Sequence, residues 1–328
     1  MSLRPPDRQV LGERVAIRLR VSEGGFKDIV GILESETTLR KLDGTLLDFQ
    51  PTEIVAWRKV EKINQGAGKG APLSLRIREM EIAASQTWPA RVQEKLGDWV
   101  LRATGKYTMR ANSVLVLGDP GISLDDAINH VCTFYAEYGL PPRMHIPLPT
   151  FSNLYKSLQD RGWEKKTEAF VMVIDINPTE FLKKLDYEWS ISDSFDDEWL
   201  NLQNDSGVSE IMKSVNASYA SLRIAGQLVA VGRACNFEEW TVLTRLFVHP
   251  EYRGKGIGSE LLSRLLSDAG TKGVSKGLLQ VDVKNSSAIN VYKNYGFKTH
   301  HSYCYLVLPS SSKAKKSSRE FSSENSSC

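Results

Sequence analysis

Apolar residues recur along this chain with two different periods, and the change of period divides it. From Arg14 to Val21 they alternate, placing Val15, Ile17, Leu19 and Val21 on one face of a predicted strand. Residues 29–33 and 53–58 read as further short strands, with Gly24-Gly25 and Asp43-Gly44 as turns, so residues 1–60 predict a small all-β unit. The run Gln65-Gly66-Ala67-Gly68-Lys69-Gly70-Ala71-Pro72 interrupts every pattern and marks residues 61–74 as a flexible linker.

Beyond it, strand-like and helix-like patterns alternate twice. The first series runs from a helix over 75–84 through strands at 98–102 and 113–117, a helix over 124–138, a strand at 143–146 and a short helix near 154–158. Gly162-Trp163 and a strand at 169–174 close it. The second series contains strands at 240–248 and 278–283, and a final strand at 303–308. Between the first two, Ile257, Leu261, Leu262, Leu265 and Leu266 form one helical stripe facing a core. Asn285 caps a short helix that stops at Gly296-Phe297, the counterpart of Gly162-Trp163. Residues 310–328 are Ser- and Lys-rich with almost no apolar positions and predict a disordered tail.

The candidate chemistry sits where the second series turns from strand to helix, at Arg253-Gly254-Lys255-Gly256-Ile257-Gly258. Glycines between a strand and a helix expose backbone N–H groups at the helix N-terminus, where they and the helix dipole hold phosphate. A Walker loop is excluded, because Ser259-Glu260 follows Gly258 where Lys-Ser/Thr is required. A dinucleotide fingerprint is excluded because the glycines fall at every second position. What remains is Arg-x-x-Gly-x-Gly, followed in order by Asn285-x-x-Ala288-x-x-x-Tyr292-x-x-x-Gly296-Phe297.

This succession resembles the core of the GNAT acetyl-CoA-dependent N-acetyltransferases, over roughly residues 186–310. The resemblance implies an α/β (α+β) GNAT fold in tandem, with a degenerate first half at 75–178 and a catalytic half at 179–309. A small SH3-like β-barrel precedes them. The first half carries Gly118-Asp119-Pro120-Gly121 in place of the phosphate loop, and Asp119 would repel a pyrophosphate. The whole layout is similar to bacterial members labelled histone-acetyltransferase-like or N-acetylglutamate-synthase-like, with Trp88-Pro89, Gly97-Asp98-Trp99 and Arg110-Ala111-Asn112-Ser113 as shared signatures.

For the site, the resemblance implies acetyl-CoA as co-substrate and no metal. Leu246, Phe247 and Val248 would pair with the pantetheine arm. Arg253, Gly254, Lys255, Gly256, Ile257, Gly258 and Ser259 would hold the pyrophosphate, and Asn285 would reach the cofactor arm. Tyr292 would stand near the sulfur and protonate the leaving thiolate. Direct transfer to an amine also needs a proton acceptor. Glu239 is the candidate, with Asp282 as the alternative, whereas His249 reads as a turn residue. Arg110 and Asn112 are either contacts for a carboxylate substrate or stitches between the two halves. A non-catalytic acyl-CoA-binding regulator with a partner-binding barrel is the competing function.

Composition narrows the setting. A net charge of +3 over 328 residues singles out no polyanion, so a nucleic-acid role resting on Arg14, Arg18 and Arg20 is not favoured. No apolar run reaches transmembrane length, and residues 1–20 carry charges throughout, so neither a membrane span nor a signal peptide is expected. Four irregularly spaced cysteines (Cys132, Cys235, Cys304 and Cys328) fit a reducing, cytoplasmic location. The expected partner is an amine acceptor, either a small amino-acid-like molecule or a protein.

Overall fold

A computed structural model describes residues 10–20, 25–41, 45–60, 66–105, 108–177, 187–203 and 206–309. Val21, the turns at Gly24 and at Asp43-Gly44, the 178/179 division, the tail and Cys328 lie wholly or partly outside them. The chain separates into two compact units, Met1–Gln65 and Gly66–Cys328.

The first unit is a five-stranded antiparallel sheet: β1 (Arg14–Arg20), β2 (Phe26–Ser35), β3 (Thr38–Arg40), β4 (Leu46–Asp48) and β5 (Ile54–Lys59), in spatial order β4-β3-β2-β1-β5. The alternation in β1 does what its period demands. Val15, Ile17 and Leu19 are buried with Ile29, Leu33, Leu39 and Phe49, while Arg14, Arg18 and Arg20 face outward.

The second unit begins with α1 (Leu73–Gln86), β6 (Val92–Leu96), β7 (Trp99–Ala103), β8 (Val114–Val116), α2 (Leu124–Glu137), β9 (Arg143–Leu148), α3 (Ser152–Asp160) and β10 (Glu164–Asp175). It continues with β11 (Glu188–Ser192), α4 (Asp197–Asn201), α5 (Ser209–Lys213), β12 (Ser218–Ile224), β13 (Gln227–Phe237), β14 (Trp240–Val248), α6 (Ile257–Thr271), β15 (Lys276–Asp282), α7 (Ser286–Tyr295) and β16 (Lys298–Val307). All eleven strands form one sheet, ordered β11-β12-β13-β14-β15-β10-β16-β9-β8-β7-β6. The two series are therefore interlocked. β10, the last strand of the first, pairs with β15 of the second, and β16, the last of the second, pairs with β9 of the first. β10 and β16 pair with each other at the centre.

Corresponding elements repeat on either side of that centre. β8 runs parallel to β9 as β14 runs parallel to β15. Trp163 and Phe297, each following a helix-ending glycine with positive φ, are both buried. The α6 stripe is buried as its period requires. In the first series the equivalent turn is closed by its own groups. The Asp119 carboxylate accepts from the Gly121 N–H, Ser123 caps α2, and Asp125 and Asp126 occupy its first turn.

The interlocked centre carries a buried polar cluster. Glu81 on α1 is 1% exposed, and its carboxylate lies 3.1 Å from His145 Nε2 on β9 and 3.0 Å from His301 Nε2 on β16. Burial alone would raise the Glu81 pKa, but the two imidazoles reverse this and hold it below the ordinary carboxylate range. His145 is shifted down by its own burial, against the pull of the Glu81 carboxylate beside it. Helix and both exchanged halves are thus joined at one ionised group.

Because the folded pKa of Glu81 is depressed, its contribution to stability is complete above the unfolded value of about 4.3 and is lost as pH falls through the folded one. Replacing Glu81 by Ala leaves two buried imidazoles unpaired. We expect it to cost about 3–5 kcal/mol at pH 7, with the gap to wild type narrowing below pH 4 in urea unfolding measured across pH.

Candidate active site

The site begins with the separation of two parallel strands. β14 and β15 pair from Trp240/Lys276 to Leu243/Leu279 and then part. At the same point β14 is bulged: Arg245 and Leu246 together oppose Gly232 of β13, and Arg245 takes φ 58°. A Cβ on Gly232 would lie 2.9 Å from Leu265 and 3.0 Å from Leu246, so glycine lets these side chains close over β13 at the bulge without shifting. Past the bulge, the β14 backbone of Leu246–Val248 faces a gap rather than a strand.

A cavity of about 470 Å³ opens into this gap. Leu246, Phe247 and Val248 form one side. Arg253, Gly254, Gly256, Ile257, Gly258 and Ser259 form the end, and Asn285, Ala288, Val291 and Tyr292 the other side. Ten of the cofactor residues read from the sequence therefore line this cavity together with Tyr292. Lys255 does not line it; its ammonium lies 5.0 Å from the Tyr252 ring centre.

Local geometry explains the loop. Gly254 and Gly256 have φ 77° and 80°, and Gly256 caps α6 with no side chain bonded to the first-turn N–H groups. Arg253 bridges from the loop back to the Val248 carbonyl at 3.0 Å. Gly258 is different: a Cβ there would meet nothing nearer than Val291 at 3.7 Å, so the protein's own packing does not demand glycine. What the missing Cβ leaves open is the cavity, which fits the pyrophosphate of a nucleotide cofactor. Asn285 accepts from Ala288 N–H at 3.1 Å as the α7 cap and also faces the cavity. Burial raises the Tyr292 pKa to about 12, so its phenol keeps its proton at neutral pH.

The proton acceptor inferred from sequence is not brought here. Glu239 precedes β14, where its carboxylate pairs with Lys276 Nζ at 3.1 Å. The seven residues to Leu246 put it about 20 Å along the strand from the cavity. Two adjacent glutamates before a strand carry no signal for which end faces a ligand. Asp282 is occupied as well, accepting from Thr167 Oγ1 and the Lys284 N–H. His249 does begin the turn into the phosphate loop.

A second cavity, of about 310 Å³, borders the same stretch of β14. Leu243, Thr244 and Arg245 line it with Gln280 of β15, Tyr303 and Tyr305 of β16, and Trp88, Met109 and Arg110 from the first series. Arg110 is thus placed at a ligand-sized space, its guanidinium 5.7 Å from the Trp88 ring centre. Asn112 is not. It is 1% exposed, accepts from Thr104 N–H, and donates to the Thr104 and Thr108 carbonyls, so its amide holds the loop that carries Arg110. No local pattern in the sequence joins Gln280 of β15 to Tyr303 and Tyr305 of β16. The alternation of Tyr303 with Tyr305 is the one local sign that they share a face.

The two cavities thus lie beside consecutive stretches of β14 at the strand separation. A family model described as "Probable histone acetyltransferase Rv0428c C-terminal" matches residues 75–306. The chain belongs to that family and is a GNAT N-acetyltransferase by homology. It is 27% identical to the probable histone acetyltransferase Rv0428c of Mycobacterium tuberculosis, over 92% of this chain and 96% of that protein. It is 29% identical to YobR of Bacillus subtilis, named an uncharacterized N-acetyltransferase, over 70% of this chain and 98% of that protein. In fold alone it resembles a GCN5-related N-acetyltransferase from Kribbella flavida, with a TM-score of 0.55 at 12% identity over 73% of this chain and 98% of that one. A tandem GNAT protein from the clavulanic acid biosynthesis pathway, at 12% identity, covers 75% of this chain and 91% of that one with a TM-score of 0.50. GNAT acetyltransferases use acetyl-CoA. No helix among the described residues is long and apolar enough to cross a membrane.

Gly258→Ala should fold normally, because its Cβ would meet nothing nearer than Val291 at 3.7 Å, yet weaken CoA binding about tenfold by occupying the cradle. Thermal melting and calorimetric titration of CoA separate the two effects.

Proposed function

We propose that this protein moves an acetyl group from acetyl-CoA directly to a primary amine, with the cofactor in the larger cavity and the acceptor in the smaller. The observation that carries this reading is the shared strand. β14 lines the larger cavity through Leu246–Val248 and the smaller through Leu243–Arg245, so the two border consecutive stretches of one strand where β14 leaves β15. A thioester laid along Leu246–Val248 then presents its carbonyl to an amine held beside Thr244 and Gln280.

The chain's residues divide the work. The backbone of Leu246–Val248 orients the pantetheine arm, and the α6 N-terminus with Arg253 binds the pyrophosphate. The attacking nitrogen forms its bond to the acetyl carbon and gives up a proton to solvent water, the carbon–sulfur bond breaks, and Tyr292 donates its proton to the departing thiolate and is reprotonated from solvent. A phenol held near pKa 12 remains protonated until the thiolate needs the proton. No carboxylate lines the acceptor cavity among the described residues. Arg110 instead disfavours an ammonium beside it, which keeps the amine neutral and nucleophilic.

The first series is read as a degenerate half that lacks a cofactor site, supported by Asp119, Asp125 and Asp126 where the second series has its glycine loop. The N-terminal sheet is read as an SH3-like barrel, supported by its order β5-β1-β2-β3-β4. The name of the mycobacterial relative makes a protein amine one acceptor to try.

Thiol release from acetyl-CoA with a panel of amino acids, polyamines and peptides tests the activity. Tyr292→Phe should lower kcat about 10²–10⁴-fold while leaving CoA affinity unchanged. Wild-type kcat should show no loss from Tyr292 ionisation up to pH 10. An unchanged kcat in the variant removes Tyr292 as the acid, and no release with any amine removes the transferase reading.

A further inference from the structure

Arginines gather around the acceptor cavity without counter-ions. Arg102 and Arg233 are 1% and 0% exposed, and Arg110 lines the cavity with its Nε buried and unbonded. Arg110 and Arg233 lie within 6 Å of the Trp88 ring, at 5.7 and 5.4 Å. Their partners are neutral. Arg102 bonds Ser85 and Ser113, Arg233 bonds the Thr87 carbonyl and Thr244 Oγ1, and Arg110 faces the Tyr303 hydroxyl. Among the described residues no carboxylate lies within ion-pair reach of these three. The buried carboxylate nearest to hand, Glu81, is committed to His145 and His301.

Buried cations without anions are costly, and the cost is relieved when a ligand supplies the charge. Arg102 and Arg233 are sealed in, so of these three Arg110 is the cation a ligand can reach; Arg245 lines the same cavity from β14. Its planar fork suits a carboxylate better than a point charge does. A volume of about 310 Å³ suits a molecule of amino-acid size and is small for a folded protein surface. A lysine side chain from a basic protein tail brings more positive charge and nothing for Arg110 to hold.

We propose that the acceptor is a small amine bearing a carboxylate, and that Arg110 is the specificity-determining residue that binds this carboxylate and turns the amine toward the strand separation. The proposal deepens the acetyltransferase reading and rests on it for the acceptor's place. Bound this way, the carboxylate neutralises Arg110, while Arg233 and Arg102 behind it maintain a field that favours the neutral amine.

The test compares L-amino acids with their carboxamides and aminophosphonates as acceptors, and adds calorimetric binding of the N-acetyl amino acid products to the CoA-loaded protein. The carboxylates should exceed the carboxamides in kcat/KM by about 10–100-fold, the range for a hydrogen-bonded charged group. Arg110→Ala should abolish that preference, and Arg110→Lys should retain part of it while reporting that the fold is intact. Equal use of acids and amides, a preference for phosphonates or lysine peptides, or an unchanged ratio in both variants overturns the proposal. If no amine releases CoA but N-acetyl carboxylates bind in an Arg110-dependent way, the transferase reading fails and the carboxylate site stands.

Discussion

The exchange of last strands is the constraint on which the rest of this structure depends. β10 and β16 each leave the series that made them and complete the other, so the eleven strands cannot be parted into two independent sheets. The cost of ordering so many non-local pairings is offset by burying β10 and β16 on both faces. α1 fixes the arrangement from above through Glu81, which reaches β9 and β16 at once. A buried ionised group with two partners is unforgiving of a register slip, since any slip would strand the carboxylate.

The same exchange composes the site. Tyr303 and Tyr305 stand on β16, which belongs by sequence to the second series but lies beside β9 of the first. They therefore bring Gln280 and Thr244 of one half to face Arg110 and Trp88 of the other. Asn112, buried and fully bonded, holds the loop that carries Arg110. The first series has no glycine loop to hold a phosphate, but it supplies one wall of the acceptor space.

The two cavities differ in the chemistry that shapes them. The cofactor side is backbone: an interrupted pairing, a bulge made possible by Gly232, and a helix end left uncapped at Gly256. Tyr292, which lines it, is held protonated by burial. The smaller cavity is made largely of side chains, among them aromatic and cationic ones, drawn from six separate elements and loops. Backbone sites tolerate change in surrounding residues, whereas side-chain sites change ligand with one substitution, so acceptor choice varies more easily than cofactor choice.

That difference sets what could be read from the sequence. The cofactor loop was legible because its residues are contiguous: Arg253 to Ser259 sit between a strand and an apolar-striped helix, and Asn285, Tyr292 and Gly296-Phe297 follow within one helix. The strand over 240–248 and the helix ends were legible for the same reason, since period, caps and glycines act over a few residues. β16 was expected to begin at Tyr303, but it starts at Lys298, because pairing with β10 recruits charged and polar residues that no local pattern marks. Glu239 looked suitable beside β14 and lies at its far end, since direction along a strand has no signature in two glutamates. The sequence by itself determined the glycine loop and the elements around it; the tertiary structure alone decided the smaller cavity, whose walls come from both series. Strand exchange joins residues more than a hundred positions apart, and long-range pairing leaves no periodic trace in the chain.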